Sequence, residues 1–295
     1  MLPRAVLVER PTEFRDLLAR HGTREQARFF LAGRGLTLEA VERRHLAYEE
    51  IRAQVLAAIP TDWRRSVVDR AELDRFLFAD DDVVLALGQD GLVANVAKYL
   101  RGQPVIGLDP EPDRHPGVLV RHRPGAAADL LLDVHRGRAT LEQRTMAEGR
   151  LPDGQRLLAL NELFVGHASH QSARYELALG GRAEHQSSSG LIITTGTGAT
   201  GWAASINGAR RAPLDLPRPT EPTLACLVRE AWPSATTGTD LDGGLIGADD
   251  ELRVTSELNS GGRVFGDGIE TDWLAFDWGE RLTVRVAAER LALVV

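Results

Sequence analysis

Val83-Val84-Leu85-Ala86-Leu87-Gly88-Gln89-Asp90-Gly91 decides the fold. Five apolar residues in a row, cut off by a glycine turn, are too few for a helix and read as a parallel strand buried on both faces. Asp80-Asp81-Asp82 ahead of it reads as a solvated turn. A helical stretch follows from about Leu92 to Leu100, and Pro104-Val105-Ile106-Gly107-Leu108 is another buried strand. Strand, turn, helix and strand make a βαβ unit with a right-handed crossover.

Upstream, Ala5-Val6-Leu7-Val8 is a short strand, and Thr23 caps a helix carrying Ala27, Phe30 and Leu31. Thr37 caps a second helix whose apolar face holds Leu38, Val41, Tyr48, Ile51, Val55 and Ile59, with Pro60 as its stop. The alternating charges of Glu39–Arg52 read as its solvated face. Downstream, Gly125–Arg136 is helical, and strands then dominate: Leu157–Val165, Arg174–Leu179, a Gly180-Gly181 turn, and Ser189–Thr194. Leu252–Ser256, Arg263–Phe265, Leu274–Trp278, Leu282–Val286 and Leu291–Val295 are further strands, and Pro213–Pro222 is a surface connection. The expectation is an α/β N-terminal domain over residues 1–121 and a mostly β C-terminal domain over 122–295, whose last strands can return to the first.

The 295 residues are 43% apolar and 26% charged, enough for a full core. The balance of 35 basic and 42 acidic residues, net −7, disfavours a nucleic-acid partner. No apolar run reaches the ~18 residues of a membrane span. Met1-Leu2-Pro3-Arg4 passes straight into a strand without a leader pattern, so the expected location is cytoplasmic and no membrane partner is expected. A single cysteine, Cys226, excludes an intramolecular disulfide and a cysteine-cluster zinc site, and the histidines, His45, His167, His170 and His185 among them, show no metal-ligand spacing.

Three segments carry chemistry. Gly88 and Gly91 let a ligand approach the backbone where helix N–H groups are free. Asp90 between them repels phosphate, so it reads as an acceptor for a sugar hydroxyl, as a general base, or as no more than a helix cap. Thr194-Thr195-Gly196-Thr197-Gly198-Ala199-Thr200-Gly201-Trp202, between a strand and a helix through Trp202, Ala204 and Ile206, offers several donors to one anion, or is an ordinary turn. Leu160-Asn161-Glu162 interrupts an apolar strand with two polar residues. These read a base and a ribose, or face water at an edge.

These pieces, in this order, resemble the NAD kinases, and the mitochondrial type most closely. Glu42-Arg43-Arg44-His45 looks like that type's Glu-Arg-His-His. Pro104-Val105-Ile106-Gly107-Leu108-Asp109-Pro110-Glu111-Pro112-Asp113-Arg114 is similar to its Pro-Val-Ile-Gly-Val-Asn-Thr-Asp-Pro-Glu-Arg. Leu160-Asn161-Glu162-Leu163-Phe164-Val165-Gly166 follows its Leu-Asn-Glu-Val-Phe-Ile-Gly. Ser188-Ser189-Gly190-Leu191 with Thr195-Gly196-Thr197-Gly198 and Trp202 matches its Ser-Ser-Gly-Leu and Thr-Gly-Thr-Gly stretch, and Asp267-Gly268 matches an Asp-Gly near its end more weakly. The chain departs at Gln89, where the family has the second glycine of Gly-Gly-Asp-Gly, and at Leu92, where it has threonine.

The resemblance implies a Rossmann-type, NAD kinase/diacylglycerol kinase-like first domain. It implies transfer of phosphate from ATP, with Mg²⁺, to the adenosine ribose 2′-hydroxyl of NAD, giving NADP. Asp90 would be the general base. Gly88, Asp90, Gly91, Asn161, Glu162, Thr197, Thr200, Gly201, Trp202 and Ser205 would bind the nucleotides, with Asn161 and Glu162 on the adenosine and Trp202 on a base or in the core. It also implies a homodimer or homotetramer. The departures leave two other readings: a dinucleotide-binding protein of little or no activity, used in sensing or regulation, and a lipid or sugar kinase sharing the Gly-Gly-Asp-Gly turn.

Overall fold

The computed structural model describes residues 2–112 and 117–295; Asp113 and Arg114 of the Pro104–Arg114 motif lie outside the described residues, as does Met1. Its contacts cluster into two units, Met1–Tyr99, Gln103–Leu141 and Leu293–Val295 in the first, Leu100–Gly102 and Glu142–Ala292 in the second.

The first unit alternates strand and helix: β1 (Arg4–Glu9), α1 (Glu13–His21), α2 (Arg24–Ala32), α3 (Leu38–Ala58), β2 (Arg64–Asp69), β3 (Asp82–Leu87), α4 (Asp90–Ala97), β4 (Pro104–Leu108) and α5 (Ala127–His135). The strands lie parallel in the order β2-β1-β3-β4. Every residue of β3 is buried, as a strand covered on both faces requires. Leu7, Leu85, Leu87, Ile106 and Leu108 share one core with Val55, Ile59 and Leu131. Thr23 and Thr37 cap α2 and α3 by accepting the Gln26 and Ala40 N–H groups. Thr12 caps a further helix, α1, which the sequence reading passes over, as it does β2. Phe14, Leu17, Ala27, Leu31, Leu38 and Val41 close the small core among α1, α2 and α3.

Two expectations change here. The charges of α3 are more than a solvated face, because Glu39, Glu42, Arg44, Glu49 and Arg52 pair with Arg28, Arg24, Glu13, Arg15 and Glu9 on other elements. Asp82 is not in a solvated turn. The parallel register sets it beside Arg4. The fully buried carboxylate takes Arg4 Nε at 2.8 Å and Nη2 at 2.6 Å, with the Ala79 N–H at 2.8 Å as a further donor. Such two-pronged pairing is what a buried carboxylate needs.

The second unit is built of strands: β5 (Leu141–Arg150), β6 (Arg156–Ala159), β7 (Glu162–His167), β8 (Ala173–Leu179), β9 (Arg182–Ser188), β10 (Leu191–Thr194), one helix α6 (Trp202–Gly208), β11 (Leu224–Val228), β12 (Gly243–Ile246), β13 (Leu252–Ser256), β14 (Gly262–Gly266), β15 (Ile269–Ala275) and β16 (Arg281–Val294). One sheet runs β16-β13-β8-β9, with β5 pairing β16 and β6; the other runs β12-β11-β10-β7-β14-β15. Leu177, Val254 and Val284 from the first meet Leu163, Ile193, Cys226 and Val264 from the second in a single core. Burial pushes the Cys226 thiol up to about 12, so it is an inert apolar filler. Gly180 and Gly181, both at positive φ, turn β8 into β9 as expected.

Leu157–Val165 is not one strand; it breaks at Leu160 and Asn161 between β6 and β7. The strands expected at Leu282–Val286 and Leu291–Val295 are one continuous β16, and Trp278 lies beyond the end of β15. The Pro213–Pro222 segment is more than a connection. A Cβ on Gly196 would run into the Arg218 backbone, and Thr145 bonds the Pro219 and Glu221 carbonyls at 2.9 and 2.7 Å. No helix among the described residues is long and apolar enough to cross a membrane.

Candidate functional site

In the first unit, β3 ends at Leu87 and the chain turns through Gly88 and Gln89 into α4, whose first residue is Asp90. Gly88 N–H donates to the Leu108 carbonyl at 3.0 Å, which ties the turn to β4. Asp90 does not cap α4. Its Oδ2 accepts the Val118 N–H at 2.8 Å, and its Oδ1 accepts those of Leu119 and Val120 at 2.8 and 3.0 Å. A carboxylate has about four lone-pair places. Three are taken, and the fourth is on Oδ2.

Two glycines make this arrangement fit. A Cβ on Gly107 would overlap the Leu119 carbonyl, so only glycine in β4 lets the 118–120 segment lie against it. A Cβ on Gly117 would sit 2.8 Å from Asp90 Oδ1 and overlap Val120 Cγ2. Gln89 has φ −104°, an extended conformation open to any residue, so its departure from glycine leaves the turn's backbone angles unstrained. Its Oε1 accepts from Arg10 Nη2 at 3.2 Å. Leu92 is buried, its side chain packed at Gly88. Around Gly91 there is open space where a Cβ would stand.

The turn opens on a cavity of about 620 Å³, a volume suited to a small-molecule ligand. Arg10, Thr12, Arg44, His45, Tyr48, Gly88, Gln89, Asp90, Asp109 and Glu111 line it. His45 Nδ1 lies 2.9 Å from Thr12 Oγ1, and the ring stacks on Phe14. Burial pushes the Tyr48 phenol well above its ordinary value, and its hydroxyl donates to the Leu87 carbonyl at 3.4 Å. Arg10 and Tyr48 are cavity residues that the sequence reading missed. The signal for Tyr48 was present, since it shares the helix with the Glu42–His45 motif.

In the second unit, the break between β6 and β7 is held by Asp267, which sits at φ 55° in the two-residue Asp267-Gly268 turn joining β14 to β15. Its carboxylate accepts the N–H groups of Leu160, Asn161 and Glu162 at 2.9, 2.7 and 3.3 Å. The carbonyls of the same break go to the threonine-glycine loop. Thr195 Oγ1 donates to the Leu160 carbonyl at 2.5 Å, and Thr195 N–H to that of Asn161 at 2.9 Å. Gly198 packs so close to the Asn161 backbone that any Cβ would collide with it. The break and the loop are therefore one structure, which neither motif disclosed alone.

The side chains of Asn161 and Glu162 make no hydrogen bond among the described residues and are half-buried. Burial first, and the nearby Asp267 second, push the Glu162 carboxyl up to about 7. Thr197 Oγ1 accepts from the buried Arg144 at 3.4 Å. Thr200, Gly201 and Ser205 are exposed. Trp202 is not in the core: 41% of it is exposed, it lies parallel to Phe164 with ring centres 6.1 Å apart, and the Arg229 guanidinium stands 4.6 Å from its ring. Among the described residues no three His, Cys, Asp or Glu side chains gather to hold a metal ion.

No family model matches the chain. By sequence it is similar to the mitochondrial NAD kinase 2 of Rattus norvegicus, 27% identical over 255 residues that cover 69% of this chain and 60% of that protein. It is also similar to the NAD kinase of Neisseria meningitidis, 29% identical over 150 residues, 48% of each chain. The matched stretch thus spans between about half and three fifths of these relatives' length. Among solved structures, an NADH kinase from yeast complexed with NADH superposes with a TM-score of 0.64 at 13% identity, covering 100% of this chain and 84% of that one. An NAD kinase of Archaeoglobus fulgidus in complex with ATP superposes at 0.57 and 17% identity, covering 99% and 93%. The relatives by sequence are NAD kinases, and the fold, an α/β unit and a mostly β unit, is that of the NAD and NADH kinases.

Proposed function

We propose that this chain is an NAD kinase, transferring the terminal phosphate of ATP to the adenosine ribose 2′-hydroxyl of NAD. The reading is carried by Asp90, a carboxylate fixed by three backbone N–H groups at the edge of a 620 Å³ cavity, with one acceptor place still open. The similarity to NAD kinases over 69% of the chain supports the choice of substrates.

In this reaction the 2′-hydroxyl donates its proton to Asp90 Oδ2 as its oxygen bonds to the terminal phosphorus. The bond from that phosphorus to the bridging oxygen breaks, and ADP leaves. Asp90 contributes mainly by aligning the nucleophile, and its rigid backbone cradle serves that end. Gly91 leaves room for the sugar, and Arg10 and Arg44 supply positive charge in the cavity. Asn161 offers a donor and an acceptor to an adenine edge. Glu162 accepts ribose hydroxyl protons when ionised, and Thr197, Thr200, Gly201, Trp202 and Ser205 flank the dinucleotide. Mg²⁺ bound to the ATP phosphates would neutralise part of their charge. The protein acts as a homo-oligomer in this reading.

The test is NADP formation from NAD, ATP and Mg²⁺, compared with Asp90→Asn. The native chain forms NADP, and Asp90→Asn loses about 10²- to 10⁴-fold in turnover. Dinucleotide binding without NADP formation by the native chain would overturn the proposal.

A further inference from the structure

A second concavity, of about 510 Å³, lies in the second unit, and neither the Asn161–Glu162 break nor the threonine-glycine loop lines it. Arg150, Arg253, Arg281 and Arg285 line it together with Thr255 and Thr283, and its lining holds no acidic side chain. It sits on a sheet face. Arg253 pairs across the ladder with Thr283, and Thr255 with Arg281, so these side chains alternate with the buried Leu252, Val254, Leu282 and Val284 and point to the open side.

The register makes Arg281 and Arg285 the diagonal neighbours of Arg253 on that face, a spacing of about 7–8 Å at which long side chains interact. Like charges so placed repel, and only part of the repulsion is relieved within the chain. Arg150 and Arg285 share the buried Glu148, at 3.2 and 2.9 Å, and Arg253 pairs with Glu251. The Arg281 side chain makes no hydrogen bond or ion pair among the described residues. In a chain of net charge −7 this is a local excess of positive charge, with four arginines against the two partner carboxylates of Glu148 and Glu251.

We propose that the concavity binds a chain of linked phosphates. Arginine suits that ligand because its planar fork donates two parallel hydrogen bonds to phosphate oxygens, and the two threonine hydroxyls add donors without charge. Several arginines spread along the strands match several phosphates in a row better than one. A free oligophosphate and the phosphate tail of a nucleotide share this chemistry.

The experiment is titration calorimetry of the whole chain with tripolyphosphate, ATP and orthophosphate at one fixed salt concentration. Wild type, Arg253→Ala/Arg281→Ala and Arg10→Ala/Arg44→Ala are compared, the last to separate any oligophosphate site in the first unit. Tripolyphosphate binds wild type, and the Arg253/Arg281 variant weakens it by about tenfold or more per arginine lost. Arg10→Ala/Arg44→Ala leaves that component in place. ATP binding at the same component, lost in the same variant, identifies the nucleotide tail as a ligand; ATP without such a component identifies the free oligophosphate. Both arginines are exposed, and thermal melting checks that their variant folds; Arg281→Glu is the second variant and reduces affinity further. The proposal is overturned if the Arg253/Arg281 variant keeps wild-type affinity, if orthophosphate binds as tightly as tripolyphosphate, or if a single-stranded oligonucleotide displaces tripolyphosphate at lower concentration.

Discussion

The Asp267 carboxylate holds the backbone N–H of Asn161 at 2.7 Å, across 106 positions of sequence. A turn residue in the left-handed region thus sets the point at which β6 ends and β7 begins, and through it the direction in which Asn161 and Glu162 leave the backbone. Asp267→Ala removes the acceptor of the Leu160, Asn161 and Glu162 N–H groups and places alanine at positive φ. The expected loss is about 3 kcal/mol. Asp267→Gly fits the φ and isolates the hydrogen-bond share. Asp267→Asn tolerates the left-handed conformation and keeps one oxygen, so it loses about 1 kcal/mol. Urea midpoints at unchanged m-value measure all three, and equal midpoints for alanine and native protein would remove Asp267 as the clamp.

Glu162 makes stability depend on pH. Its carboxyl is pushed up to about 7, above the 4.5 of the unfolded chain. Between these values the native state holds more protons than the unfolded state, so stability falls as pH rises through the window and levels off above about 7. The full effect is about 3 kcal/mol at most. Glu162→Gln abolishes this slope and is more stable than the native protein above neutrality. Asp267→Asn removes the smaller, coulombic cause and shifts the slope to lower pH. Urea midpoints from pH 4.5 to 8 check this; a native profile that rises across the window would contradict the burial of Glu162.

The βαβ core around Gly88–Gly91 was legible because its signals are local: an apolar run of strand length, a glycine turn, a helical stretch and a second apolar run. The threonine caps of α2 and α3 were legible for the same reason. What escaped depends on partners far along the chain. Asp82 looks like part of a charged turn until the parallel register sets it against Arg4. Leu160-Asn161 looks like strand until Asp267 takes its N–H groups. The Gly88–Gly91 motif names a turn that lines the cavity, but no spacing shows that three N–H groups after Gly117 fill most of Asp90's acceptor places. Tyr48 and Arg10 reach the cavity only because α3 and the end of β1 pack beside the turn.

Gly117 tests whether the Asp90 cradle matters to catalysis rather than to folding. A Cβ there meets Asp90 Oδ1 at 2.8 Å and overlaps Val120, so Gly117→Ala must displace the carboxylate or the 118–120 segment. Displacement of about 1 Å costs on the order of 10²-fold in rate when alignment is the main contribution. The expected result is a drop of that size in NADP formation at a temperature where thermal melting shows the variant still folded, a check required because Leu119 and Val120 are buried. Gly125→Ala, where a Cβ meets nothing within 4 Å, is the control and keeps the native rate. Unchanged turnover in Gly117→Ala would mean that the placement of Asp90 is not what limits the reaction.

Gln89 and Leu92, the two departures from the family's turn, have opposite consequences. Leu92 is 3% exposed, so Leu92→Thr removes buried apolar volume and introduces a hydroxyl, a loss of about 2 kcal/mol. Gln89 is exposed, has an unstrained backbone and caps α4 with no side-chain hydrogen bond. Glycine is at least as good at a helix N-cap, so Gln89→Gly changes stability by roughly 0.5 kcal/mol or less. It also removes the amide oxygen that holds Arg10 Nη2 at 3.2 Å, freeing that guanidinium for a phosphate in the cavity. Gln89→Gly therefore lowers KM for ATP and raises kcat, while Leu92→Thr lowers the melting temperature without a gain in rate. Steady-state NADP formation and thermal melting of the two single variants and the double variant separate these effects. A Gln89→Gly enzyme with native kcat and KM would show that the side chain at 89 neither crowds the phosphate nor competes for Arg10.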